Sequence, residues 1–191
     1  MFRTAQYGLT AMKVLTRAEN FWKEPEAPAS FDELLRYSAL LSILPLSGYL
    51  FSYTVVGQIW STWPWIQTTL SVLRGIMCAG LQWMFFATFP LISSLVLDAT
   101  LGRRSSGVDF NSRVLIATYS MTPLFIAGLF VGVPFVGRIA VTLCFATFLY
   151  LLYFGYRIHA AQGVLRSAVI ATAIAGLFAL IRQMFVFVIG F

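Results

Sequence analysis

Apolar residues in this chain run on for twenty positions and more at a time, and charge appears mainly where those runs end. No charged residue occurs from Tyr37 to Leu73, from Gly75 to Leu97, from Val114 to Gly137 or from Ile139 to Tyr156. Runs of that length match the thickness of a bilayer core at about 1.5 Å per helical residue. They predict an all-α integral membrane protein, a five-helix bundle with spans at about residues 34–57, 74–98, 114–134, 138–156 and 167–191. Residues 31–191 then form one membrane domain, and residues 1–30 a cytoplasmic helix and linker.

The first segment has a different pattern. At helical spacing Tyr7, Ala11, Val14, Leu15, Ala18 and Trp22 share one face, while Gln6, Thr10, Lys13, Arg17 and Asn20 share the opposite one. Such an amphipathic helix suits either the interface of an anionic leaflet or the cytoplasmic end of the bundle itself. Lys23 to Ser30 is a proline-broken linker, and Ser30 with Glu33 forms a capping box that starts a helix near Phe31. Pro45 predicts a bend in the first span and Pro90 a kink in the second. Trp60, Trp63 and Trp65 mark an interfacial connector between them.

The stretch from Tyr119 to Gly137, YSMTPLFIAGLFVGVPFVG, concentrates the special residues. Pro123 has no N–H for the carbonyl of Tyr119, and the hydroxyls of Ser120 and Thr122 are placed to satisfy what is freed. Gly128 and Gly132 form a G-x-x-x-G pair suited to close helix approach within the bundle, and Pro134 closes the span.

Composition agrees with this pattern and narrows the function. Charged residues make up 10% of the 191 residues, against about 25% in soluble domains. The net charge of +6 does not point to nucleic acid, because the Lys and Arg residues are dispersed between spans. It points to orientation. Arg3, Lys13, Arg17, Lys23, Arg36, Arg103, Arg104, Arg113, Arg157 and Arg166 fall on one side of the predicted topology, and only Arg74 and Arg138 on the other. The positive-inside rule then places the N-terminus in the cytoplasm and the C-terminus outside. The first thirty residues lack the form of a cleavable signal peptide.

Candidate chemistry is sparse. Cys78 and Cys144 lie inside apolar runs without C-x-x-C spacing, so neither a metal, a cofactor nor a disulfide is expected. Arg182 is an intramembrane charge on the face of Ala171, Ala175 and Ala179, close enough to the outer interface to snorkel. Asp98 can pair with Arg103 or Arg104, and those arginines can also grip anionic lipid phosphates. His159 is a lone exposed histidine in a connector. Without paired carboxylates or a nucleophile and base, catalysis is not expected.

The run ATYSMTPLFIAGLFVGVPFVG, followed by LYLLYFGYRIH, resembles the paired signature of the Yip family of Ypt/Rab-interacting membrane proteins in its short bacterial form. Tyr119, Ser120, Thr122, Pro123 and Pro134 carry the most specific part of it. LLRYSALLSILPLSGYL and VLDATLG are also similar, as is the aromatic and acidic patch of Phe21, Trp22, Glu24 and Glu26. The resemblance implies five membrane helices, a cytoplasmic N-terminus and a bacterial inner membrane. It also implies a non-enzymatic scaffold, adaptor or accessory subunit that contacts anionic lipids and other membrane proteins. The Asp-Leu-Tyr-Gly-Pro type motif of the eukaryotic GTPase adaptors is missing from this chain. The alternative is a small permease or channel for neutral solutes or lipid, lined by the helices that Pro45, Pro90 and Pro123 interrupt.

Overall fold

The computed structural model describes residues 2–23, 30–52, 72–101, 108–133 and 135–190, and every regular element among them is helical. Two short helices come first, α1 (Phe2–Thr16) and α2 (Ala18–Lys23). Ser30 then opens α3 (Phe31–Leu41) through a complete capping box: Glu33 N donates to Ser30 Oγ and Ser30 N to Glu33 Oε2, each at 3.3 Å. Pro45 has no N–H to give the carbonyl of Leu41, and the helix breaks at Ser42 before resuming as α4 (Ile43–Leu50).

After α5 (Val72–Leu101), which continues as helix through Pro90, Asp109 caps α6 (Phe110–Ser120) by accepting from Ser112 N at 3.1 Å. A second proline break at Met121 separates α6 from α7 (Thr122–Gly128). The two breaks share a local sequence, Ser42-x-x-Pro45-Leu46 and Ser120-x-x-Pro123-Leu124. Then α8 (Val136–Phe154) runs into a π-helical turn over Gly155–His159, and α9 (Val164–Gly190) ends the described chain.

Contacts show how these pieces pass one another. Phe31 faces Phe110, Tyr37 faces Tyr119 and Gly48 faces Gly128, so α3–α4 and α6–α7 run side by side in the same direction. Asp98 meets Arg113 while Phe86 meets Phe125, so α5 runs against them. Gly155 at the end of α8 returns to Ile116. Phe178 of α9 closes the interior, its ring touching Phe85, Phe86 and Phe89 of α5 and Phe145 and Phe148 of α8 at 5.0–6.4 Å between centroids.

Among the described residues, three helices are long and apolar enough to cross a membrane: Gly75–Thr100, Val136–His159 and Val164–Met184. In their most apolar stretches no more than 44% is buried inside the protein, so most of that apolar surface faces outward. The proline-broken segments α3–α4 and α6–α7 are not among them, and neither half of either is long enough to cross alone. The predicted connector with Trp60, Trp63 and Trp65, most of the Lys23–Ser30 linker, and Pro134 lie outside the described residues.

Candidate functional site

The most organised polar group lies at the second break. Pro123 leaves the carbonyl of Tyr119 without its backbone donor, and Thr122 Oγ1 donates to that oxygen at 2.7 Å. Tyr37 Oη lies 2.8 Å from the same Thr122 oxygen. A threonine hydroxyl has one proton, already given to Tyr119, so Tyr37 is the donor here. The result is a buried relay, Tyr37 O–H to Thr122 O–H to the Tyr119 carbonyl, that ties α3 to the break between α6 and α7. Ser120, the other hydroxyl at the break, is fully buried and has no hydrogen-bond partner among the described residues.

An aromatic ladder covers the relay. Tyr7 of α1 packs edge-on to Tyr37 at 5.8 Å, Tyr37 to Tyr119 at 5.0 Å, and Tyr119 to Phe21 of α2 at 5.1 Å. Phe21 packs edge-on to Trp22 at 5.1 Å, and Trp22 lies tilted against His159 at 6.1 Å. Trp22 fits because residue 155 is glycine: a Cβ there would come 2.6 Å from Ile116 Cγ2 and 3.3 Å from Trp22 Cζ2. The π-helical turn begins at that glycine and sets the half-buried His159 under the indole. His159 is therefore part of a packed contact, and the exposed connector position expected for it is corrected.

Beside the ladder, α5 and α6 are joined by an ion pair between Asp98 and Arg113, whose side chains are 14% and 3% exposed. The expected partners of Asp98 were Arg103 and Arg104; both lie outside the described residues, and Arg113 holds Asp98. The reason is geometric. Asp98 lies on the inward face of α5, and Arg113 is on the first turn of α6, which packs against that face. Tyr156 is buried within electrostatic reach of Arg113. Its hydroxyl and the indole N–H of Trp22 have no hydrogen-bond partner among the described residues. Chemically this is a fastening: each charge or hydroxyl that pairs does so with another helix or with a freed carbonyl.

The remaining sequence candidates fall elsewhere. Gly128 faces α4 and Gly132 the residue that follows it: a Cβ on Gly128 would lie 2.3 Å from Pro45 Cβ and one on Gly132 2.7 Å from Phe51 Cδ1. Ala171 and Ala175 are buried, but Ala179 is exposed and does not belong to the inward face. That face runs through Ser167, Ala171, Ile174, Ala175 and Phe178. A strict step of four drifts off it, because the helix repeat is about 3.6 residues. Arg182 is half-buried, and among the described residues no ion pair involves it. Cys78 is buried and Cys144 half-buried, both as free thiols.

Sequence patterns missed Tyr37, Gly48 and Gln82. Gln82 is fully buried in α5 with neither amide atom hydrogen-bonded among the described residues. As the one side-chain amide in the charge-free run from Gly75 to Leu97 it was the available signal. Among the described residues, no group of three or more His, Cys, Asp or Glu is arranged to hold a metal ion.

The relay makes a graded prediction. Thr122→Val keeps the shape but strands both Tyr37 Oη and the Tyr119 carbonyl, an expected loss of about 1–3 kcal/mol. Tyr37→Phe leaves the bond to Tyr119 in place and is expected to lose about 1 kcal/mol, and Ser120→Ala to change stability by less than about 0.5 kcal/mol. Thermal unfolding in detergent orders the three, and equal effects of Thr122→Val and Ser120→Ala would refute the relay.

Compared with known proteins, the chain matches no protein-family model, no curated protein and no solved structure.

Proposed function

We propose that this chain is a five-span membrane scaffold, a short bacterial-type member of the Yip family, that recruits or stabilises other membrane proteins from the cytoplasmic face of the inner membrane. Support for five spans comes from the alternating direction of the passes and the outward apolar surface of the three long helices. The family reading rests on the sequence resemblance alone; three of the residues that carry it sit at the break, which Pro123 makes and Thr122 repairs, and Tyr119 supplies both the repaired carbonyl and a ring of the ladder.

The observation that carries the scaffold reading is the seating of α2. Phe21 and Trp22 anchor it to the bundle, while Glu19, Asn20 and Lys23 point outward with Lys23 Nζ 2.5 Å from Glu19 Oε1. A helix held rigidly on one side presents its other side at low entropic cost, which is what a recruiting surface requires. Glu19→Lys/Lys23→Glu keeps the pair and reverses its polarity. In a gentle-detergent pull-down from the native membrane, a stoichiometric membrane-protein partner is expected with the original chain, and several-fold less with the reversed pair. Equal recovery from both would show that α2 is not the recruiting surface.

Gln82 favours the second reading, a permease or channel for neutral solutes or lipid, because a buried amide with neither end paired is the kind of group that lines a polar path. Recovery of a clean homo-oligomer with lipid alone, followed by liposome flux above that of empty vesicles, would establish it in place of the scaffold. No flux would exclude it.

A further inference from the structure

The two settings offered by the sequence for the first helix, a leaflet interface or the bundle end, divide its residues into two faces. The structure divides them into three. Ala11 and Val14 are buried and Tyr7 packs on Tyr37, so this side of α1 is docked on the bundle. Thr10, also buried, satisfies its hydroxyl within the helix by donating to Gln6 O at 3.0 Å. Leu9 and Met12 are 65% and 63% exposed, and Leu15 is exposed beside them. Leu15 therefore leaves the face on which its spacing placed it. Gln6, Lys13 and Arg17 are exposed on a third side.

At about 100° per residue these sides centre roughly 90–145° apart, which divides the helix into a docked, an apolar and a polar sector. A helix surrounded by water on its free side has no use for the second of these. A helix lying along a membrane surface against the flank of a bundle needs all three. Its level in the fold agrees. α1 packs against α6 and α7, alongside the third pass and not beyond its end, and Tyr7 meets Tyr37, seven residues into the pass that Ser30 caps. Charge selects the occupant. From Phe2 to Ala18 the chain has Arg3, Lys13 and Arg17 and no acidic residue.

We infer that α1 is an in-plane membrane helix whose apolar side, Leu9, Met12 and Leu15, is covered by the acyl chains of an anionic leaflet while Lys13 and Arg17 meet its phosphates. The inference rests on the membrane reading above and adds a lipid contact to it. Long basic side chains reach up from such a helix to the headgroups, and each one near an anionic surface adds to its hold. Lipid on one side and the bundle on the other would keep α2 over the proline break, so the lipid composition of the leaflet would set how firmly the ladder is closed.

The test uses the full chain in nanodiscs of phosphatidylcholine with or without phosphatidylglycerol. Single cysteines at positions 9, 12 and 17, with positions 143 and 180 as controls, carry a nitroxide in a background where Cys78 and Cys144 are alanine. Leu143 and Leu180 are exposed on α8 and α9 and report the membrane itself. Labels at 9 and 12 are expected to be oxygen-accessible and shielded from a water-soluble nickel complex, and the label at 17 the reverse. Aqueous labels at 9 and 12 with lipid-like controls would overturn the α1 inference alone. Aqueous controls would overturn the membrane reading with it. Spin–spin broadening at 9 and 12 would show a second copy on this side and overturn the lipid contact. A second measurement avoids the cysteine background: amide exchange in α1 of the unmodified chain is expected to slow several-fold when phosphatidylglycerol is added. Lys13→Glu/Arg17→Glu should abolish that difference, and an equal rate in both lipids overturns the anionic preference.

Discussion

Arg113→Met is expected to cost about 3–5 kcal/mol of stability, because it leaves Asp98 in a buried position without its cation. The carboxylate is 14% exposed and the guanidinium 3%, so solvent screens neither well. Asp98→Asn, which removes the charge from the other side, is expected to cost a similar amount. The informative variant is the pair Asp98→Leu/Arg113→Met. Replacing a buried ion pair by apolar groups of similar size removes two desolvation penalties along with one attraction, and such replacements are often neutral or stabilising. The double variant is therefore expected within about 1 kcal/mol of the original chain, far above either single one. A double-mutant cycle followed by denaturant unfolding in micelles measures this. Strict additivity of the single effects would mean that the two groups do not depend on each other.

Gly48→Ala is expected to be nearly as damaging, and for a different reason. A Cβ at Gly48 would lie 1.9 Å from the carbonyl oxygen of Gly128, and one at Gly128 would lie 2.3 Å from Pro45 Cβ. Backbone and proline ring cannot rotate aside as a flexible side chain can, so either alanine has to push α4 and α7 apart. The expected cost is about 3 kcal/mol for each, at the upper end of ordinary overpacking. Gly132→Ala should cost less, because the atom it meets at 2.7 Å belongs to the Phe51 side chain. Gly8, Gly80 and Gly176 provide the contrast. Nothing lies within 4 Å of a Cβ at any of them, and all three are helical. Alanine there is expected to gain about 0.5–1 kcal/mol from helix propensity. Melting temperatures of the six variants should separate into two groups, and overlap of Gly48→Ala with Gly176→Ala would refute the contact between α4 and α7.

Much of the architecture was legible in the sequence because it depends on neighbours along the chain. Charge-free runs located the three helices long and apolar enough to span, the Ser30 and Glu33 spacing located the start of α3, and Pro45 and Pro123 located the breaks. Half of the repair of the second break was legible, since Thr122 acts on a carbonyl three residues away, whereas Ser120, expected beside it, makes no hydrogen bond among the described residues. These are interactions within one turn of helix, and residue order alone brings their partners together.

What depended on rotation and depth was not legible. The arginines nearest to Asp98 in sequence are Arg103 and Arg104, yet the partner it has among the described residues is fifteen positions on, across a helix interface. Ala179 and Leu15 follow the right spacing and still turn outward, because one or two turns of drift carry a residue off a narrow face. Tyr37 looked like one more aromatic in an apolar run until the fold set it opposite Thr122, 85 residues away. By itself, then, the sequence determined that the chain is helical, apolar and interrupted at defined prolines, since hydropathy, capping and missing N–H groups are local properties. The tertiary structure alone decided which faces meet, which charges pair and that the first helix has three sides. Those depend on how separate helices rotate and slide against one another to bury backbone-close glycines and satisfy freed polar groups, and no local pattern specifies that.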